Sequence, residues 1–184
     1  MTEAAAPALR ELADQPFELL REMERRATAR YASDADTTAW VGVGLRVGSH
    51  RYVVAREAIR EVMKRPDLTR VPGAQSWLRG LANVRGQLLP VVDLHMLVDG
   101  GPTSSDRRTR VVIANNDDVP MAVLASEVFG FRRFADQDRV GAEDASGDLA
   151  LAEFVDGAFR RDGATWPVLS FDRVINSPRL LSAV

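Results

Sequence analysis

Between Trp40 and Asn176 the apolar residues fall into short runs, and their spacing predicts strands rather than long helices. Val41, Val43, Leu45 and Val47 alternate with Gly42, Gly44 and Arg46, a period of two with one face buried. Gly48-Ser49 has the composition of a tight turn, after which Tyr52-Val53-Val54 returns as a second strand. Ile59 to Met63 reads as a third strand, closed by Pro66-Asp67. Val71-Pro72-Gly73 leads to a predicted short helix around Gln75–Leu78. Leu81–Val84 and Leu88–Val92 form strands about the Arg85-Gly86 turn. After the Gly100–Asp106 linker come Arg110–Asn115 and Met121–Leu124, a hairpin across Asn116-Asp117-Asp118, and then Val128–Phe134. Asp136–Asp148 is acidic, has no period and is expected to be an exposed loop. Phe154–Arg160 and Thr165–Leu169 pair across Arg161-Asp162-Gly163, and a helix over Phe171–Asn176 ends before Pro178. About ten short strands with frequent turn signals favour small barrels over a βαβ sheet.

Part of this pattern occurs twice. Pro90-Val91-Val92-Asp93-Leu94-His95-Met96-Leu97 aligns with Pro167-Val168-Leu169-Ser170-Phe171-Asp172-Arg173-Val174. Each copy is a strand opened by proline that passes into a short helix, preceded by a glycine-containing turn. Two copies imply two related β-rich lobes, one over about residues 39–100 and the other over about 107–177. Ahead of them, residues 1–38 read as an extension. Its apolar positions Phe17, Leu20, Met23, Ala27 and Tyr31 mark one narrow face of a helix, with Arg21, Glu22, Arg25, Arg26 and Arg30 on the other. Ser33 to Thr38 reads as a linker, and residues 178–184 as a tail.

Composition narrows the function. Hydrophobic residues are 46% of the 184, enough for a buried core, and the formal net charge is -2, which argues against a nucleic-acid-binding body. There is no cysteine, so neither disulfides nor thiolate chemistry is available. No apolar run reaches the roughly 20 residues that cross a bilayer, and the first residues lack the order of a signal peptide. These features predict a soluble cytoplasmic protein.

Candidate chemistry is sparse. The two histidines are His50 and His95; no spacing suited to a metal cage exists, and no metal or cofactor is expected. Asp93 and His95 lie two apart at a strand-to-helix junction, and a weak hydrolase built on them ranks last among the readings. Asp93 is expected to cap the following helix, where a carboxylate accepts free N–H groups. Gly42 and Gly44 open no phosphate-binding helix and are read as sites of close packing. Phe131 and Phe134 flank Arg132 and Arg133, which keeps a small-barrel single-stranded nucleic-acid-binding module as the alternative. Arg85 stands between Asn83 and a glycine in an otherwise apolar segment. It is placed either to meet an acidic or amide group on another protein or to pair internally, for instance with Glu61.

The stretch Gly80-Leu81-Ala82-Asn83-Val84-Arg85-Gly86-Gln87-Leu88-Leu89-Pro90-Val91-Val92-Asp93-Leu94 resembles the signature of the CheW family, adaptors of bacterial chemotaxis-type arrays. Tyr52–Val62, Arg70-Val71-Pro72, Phe154–Gly157 and Pro167–Leu169 resemble further parts of the same family, so the likeness spans about Trp40 to Ser177. Pro16–Leu20 and Glu24-Arg25-Arg26 resemble the N-terminal extension of the subgroup that serves type IV pilus twitching systems. The resemblance implies a mainly β body of two five-stranded SH3-like barrels with a shared hydrophobic core. It implies no catalysis. The expected partners are the cytoplasmic tip of a chemoreceptor and the regulatory domain of a CheA-like histidine kinase, at membrane-associated receptor arrays. Carried onto this chain, the receptor-facing residues are Ile59, Glu61, Val62 and Arg85, and Asn83, Gly86, Pro90 and Asp93 are motif positions with structural roles.

Overall fold

The computed structural model describes residues 39–141, 143–145 and 149–182. The extension, with its expected Phe17–Tyr31 helix, lies outside the described residues, as do four of the other positions expected in the acidic loop and the last two of the tail.

Eleven strands are present among the described residues. They are β1 (Trp40–Val47), β2 (His50–Ala55), β3 (Ile59–Lys64), β4 (Leu78–Val84), β5 (Gln87–Val92), β6 (Arg110–Ala114), β7 (Ala122–Ala125), β8 (Glu127–Phe134), β9 (Arg139–Val140), β10 (Val155–Arg161) and β11 (Ala164–Leu169). Short helices α1 (Leu94–Leu97) and α2 (Phe171–Ile175) follow β5 and β11, and α3 (Pro178–Leu181) ends the described chain. One sheet has the order β8-β1-β2-β11-β10-β9 and the other β3-β6-β7-β5-β4.

The mainly β, two-lobed reading holds, but the lobes are not consecutive pieces of sequence. The hairpin β1–β2 sits beside β8 to β11, while β6–β7 sits beside β3, β4 and β5. Each half of the chain therefore keeps its first hairpin in one sheet and sends its next strands to the other. The expected boundaries at about 39–100 and 107–177 are corrected accordingly. The duplicated unit marks this exchange. β5 runs parallel to β7 through Val91 and Ala122, and β11 runs parallel to β2 through Val168 and Val53. Each parallel ladder begins one residue after the proline, Pro90 or Pro167, so the missing N–H falls outside it.

Alternation along the strands builds three apolar clusters. Val53, Phe134, Phe159 and Trp166 fill the first sheet. Ala82, Leu89, Val91, Val111, Ile113 and Leu124 belong to the filling of the second. Between the sheets, Leu45, Tyr52, Val54, Val92, Val112, Val123 and Leu169 share one larger core, to which α1 adds Leu94 and Leu97 and α2 adds Phe171 and Val174. Strands such as Tyr52-Val53-Val54 and Val111-Val112-Ile113 are thus buried on both faces, which is why they read as unbroken apolar runs.

Turn chemistry sets the hairpins. Arg85-Gly86 and Asp162-Gly163 have φ of 53° and 87°, and of 52° and 71°, the primed geometry that matches strand twist. Asn83 Oδ1 accepts the Gly86 N–H at 2.9 Å and closes the first of these turns. Gly80 has φ 136° and lies against the Thr69 carbonyl, where a Cβ would come within 2.5 Å. That approach allows the paired backbone bonds between Thr69 and Leu81.

Four local expectations change. No helix forms at Gln75–Leu78; two turns lead into β4 at Leu78. The acidic segment is not a bare loop, for it holds a helical turn at Asp136–Asp138 and β9, which pairs with β10. The tail contains α3, capped by Ser177, whose Oγ accepts the Leu180 N–H at 3.2 Å, and tied by Arg179 to Asp99 at 3.0 Å. Asp93 does not cap α1. Its carboxylate is fully buried, taking the Thr103 N–H at 2.8 Å and the Thr103 hydroxyl at 2.7 Å. The residue thus fastens the linker between the two halves.

Candidate functional site: a cleft between two edge strands

β3 and β8 are edge strands of different sheets, and a cleft of about 320 Å³ lies between them. β3 contributes Ile59, Glu61 and Val62, and β8 contributes Val128, Gly130 and Phe131, with Val43 of β1 beneath. Arg56 and Arg60 complete the rim. Ile59 is buried, whereas Val62 is 37% and Phe131 64% exposed. An exposed phenylalanine beside an open apolar cleft is a feature that an isolated folded chain does not require.

Phe131 reaches this position because β8 carries a bulge. The β1–β8 register pairs Val43 with Phe131 and Gly44 with Gly130, then shifts so that Leu45 pairs with Val128. Gly130 supplies the positive φ, 81°, at the shift. Phe129 consequently turns inward, edge-on to Trp166 with ring centroids 6.0 Å apart, while Phe131 faces the cleft. Strict alternation would have placed both rings on one side.

Three of the expected receptor-facing residues, Ile59, Glu61 and Val62, line the cleft together. Arg85 is not a lining residue. It reaches over from the β4–β5 turn, and its Nη2 donates to Glu61 Oε1 at 3.0 Å. Both readings of Arg85 survive, because the ion pair forms and the Arg85 side chain is still 79% exposed. A neighbouring link runs the same way: Arg60 donates to Asp117 at 2.8 Å and to Gln87 at 3.4 Å. Arg85–Glu61 and Arg60–Gln87 join the edge strand β3 to the β4–β5 hairpin, while Arg60–Asp117 joins it to the β6–β7 turn. Sequence reasoning missed Val43, Val128 and Phe131; β8 lies far along the chain from β3, and a glycine inside an aromatic strand was the one available sign of the bulge.

Asp93 and His95 are not brought together. The Asp93 carboxylate is committed to Thr103, and His95 Nδ1–H donates to the Gly101 carbonyl at 2.6 Å. The His95 ring fills the space beside Gly48 and Gly100, where a Cβ would meet it at 2.8 and 2.5 Å. Among the described residues no three His, Asp or Glu side chains are grouped to hold a metal ion. Of the two rings beside Arg132 and Arg133, Phe134 is buried and stacks on Phe159 at 4.6 Å, so it offers no face to a base. No described helix is long and apolar enough to cross a membrane.

With this geometry in place, the likenesses to known proteins are specific. The CheW-like domain family matches residues 41–179. The chain is 31% identical to protein PilI of Pseudomonas aeruginosa over 84% of its own length and 88% of that protein. It is 30% identical to protein FrzA of Myxococcus xanthus over 73% of its length and 84% of that protein. Among solved structures, the scaffolding protein TtCheW of Thermoanaerobacter tengcongensis superposes with a TM-score of 0.68 at 16% identity. That match covers 77% of this chain and 96% of TtCheW, and it carries the fold alone.

Proposed function

This chain belongs to the CheW-like domain family, and from that membership we propose that it couples a chemoreceptor to a CheA-like histidine kinase. The similarity to PilI favours an array that controls type IV pilus twitching motility, in the cytoplasm at membrane-associated receptors. The protein works by holding partners together and turns over no substrate.

The observation that carries this reading is the cleft between β3 and β8. Its apolar floor and exposed Phe131 suit the apolar stripe of a receptor helix, with the Glu61–Arg85 pair at the edge to set register. An exposed ion pair contributes at most about 1 kcal/mol to folding, so Arg85 is free to serve recognition at little structural cost. The modest affinity of one such contact is multiplied in an array by effective concentration.

The test is a titration of a purified receptor cytoplasmic fragment against the parent protein and three variants, Val62→Glu, Phe131→Ala and Arg85→Ala. Each should bind about tenfold more weakly, equivalent to about 1.4 kcal/mol, while melting close to the parent. Parental affinity in all three variants would remove the cleft as the receptor site.

A further inference from the structure

A second surface stands apart from the cleft's acid–base pair. Arg46 and Arg51 are directly opposed across β1 and β2, an arrangement that costs stability through like-charge repulsion. Both guanidinium groups lie over the same ring, at 5.2 and 5.5 Å from the centroid of Phe129. Arg132 of β8 lies 5.3 Å from the centroid of Trp166, the ring against which Phe129 packs edge-on. Gly44 permits this packing: a Cβ there would sit 3.2 Å from Trp166 and 3.3 Å from Arg132. One carboxylate answers three cations. Glu127 accepts from Arg46 Nε at 3.3 Å, and no ion pair neutralises Arg51 or Arg132 among the described residues.

We propose that Arg46, Arg51 and Arg132, held over Phe129 and Trp166, form a recognition surface for a carboxylate-rich segment of a second protein. Stacking on aromatic rings pre-orients guanidinium groups and limits the rotamer entropy lost when they bind. The planar fork of each then presents paired N–H donors to a carboxylate. Glu127 already takes a single bond of this kind, from Arg46 Nε at 3.3 Å. A nucleic acid fits less well, because the ring faces that bases would stack upon are already covered by guanidinium groups. Incoming carboxylates would relieve the Arg46–Arg51 opposition, which gives the surface a reason to keep two arginines face to face.

The probe is a fluorescent oligoglutamate peptide of about six residues, about 20 Å when extended, measured by anisotropy with the full chain. A glutamine peptide of equal length and a single-stranded oligonucleotide of equal charge are measured alongside. Arg51→Gln/Arg132→Gln should weaken the glutamate peptide about tenfold, whereas Arg107→Gln/Arg108→Gln, exposed arginines elsewhere, should leave it unchanged. If the double variant does not fold, Arg51→Glu alone, at an exposed position, should cost about threefold. Equal losses in both double variants would overturn the proposal, as would equal binding of the glutamine peptide or tighter, variant-sensitive binding of the oligonucleotide. Glu61 and Arg85 are intact in every protein used, so the outcome is independent of the receptor cleft.

Discussion

Replacing Asp93 tests how the two halves of the chain are fastened. Its carboxylate is fully buried and accepts two hydrogen bonds from one residue, Thr103 N–H at 2.8 Å and Thr103 Oγ at 2.7 Å. Hydrogen bonds to a charged group contribute about 1.5–3 kcal/mol each, partly offset here by relief from burying a charge. Asp93→Ala should therefore destabilise the fold by about 3 kcal/mol, a fall of about 9 °C in melting temperature for a domain of this size. Thr103→Val, which keeps the backbone bond and loses the hydroxyl, should cost about 1.5 kcal/mol. The two changes share a partner, so the double variant should fall short of their sum by about 1 kcal/mol. Urea unfolding of the four proteins closes the cycle, and limited proteolysis within residues 99–106 should quicken in both single variants. A helix-capping role predicts something else: a loss of about 1 kcal/mol for Asp93→Ala, simply additive with Thr103→Val. Additivity would refute the fastening of the linker by Asp93.

Gly42→Ala should destabilise by about 2 kcal/mol, because the new Cβ would come within 2.5 Å of the Trp40 ring and 2.6 Å of Val53; chemical unfolding followed by tryptophan emission reads it. Burial pushes the Tyr52 phenol above its ordinary value, with the Leu151 N–H pulling the other way. The folded state therefore holds that proton more tightly than the unfolded chain, so stability is complete below the unfolded value of about 10 and declines as pH rises beyond it. Tyr52→Phe should flatten the alkaline decline between neighbouring pH values, seen in melting temperature. A double-mutant cycle on Glu61 and Arg85 should give a folding coupling below about 1 kcal/mol, since the Arg85 side chain is 79% exposed. A larger coupling would assign the pair to structure rather than recognition.

Several features were legible because their causes are local. Arg85-Gly86 and Asp162-Gly163 announce hairpins through residues that tolerate positive φ. The resemblance, not local pattern, pointed to a groove with Ile59, Glu61, Val62 and Arg85; the first three line the cleft, and Arg85 meets it only through its ion pair with Glu61. The resemblance to CheW-like proteins indicated the fold, and the family match over residues 41–179 agrees with it. Other features had no local cause. Asp93 looked like a helix cap because it precedes a helix, yet its donor stands ten residues further on, across a turn of linker. Phe131 is turned outward by a register shift against β1, a strand that lies far away in sequence.

Residue patterning was enough to place most strands and turns, to show that a strand–helix unit occurs twice, and to name the residues that could carry chemistry. All of these follow from side-chain periodicity and backbone preference over a few residues. That β1–β2 joins β8 to β11 while β6–β7 joins β3 to β5 emerges only in the packed molecule. The cause lies in the core. A strand buried on both faces, such as Val111-Val112-Ile113, satisfies its hydrophobic demand beside any apolar neighbour, so its own pattern does not name its partner. The choice belongs to the packing of all three cores at once, and the cleft between β3 and β8 exists because of that choice.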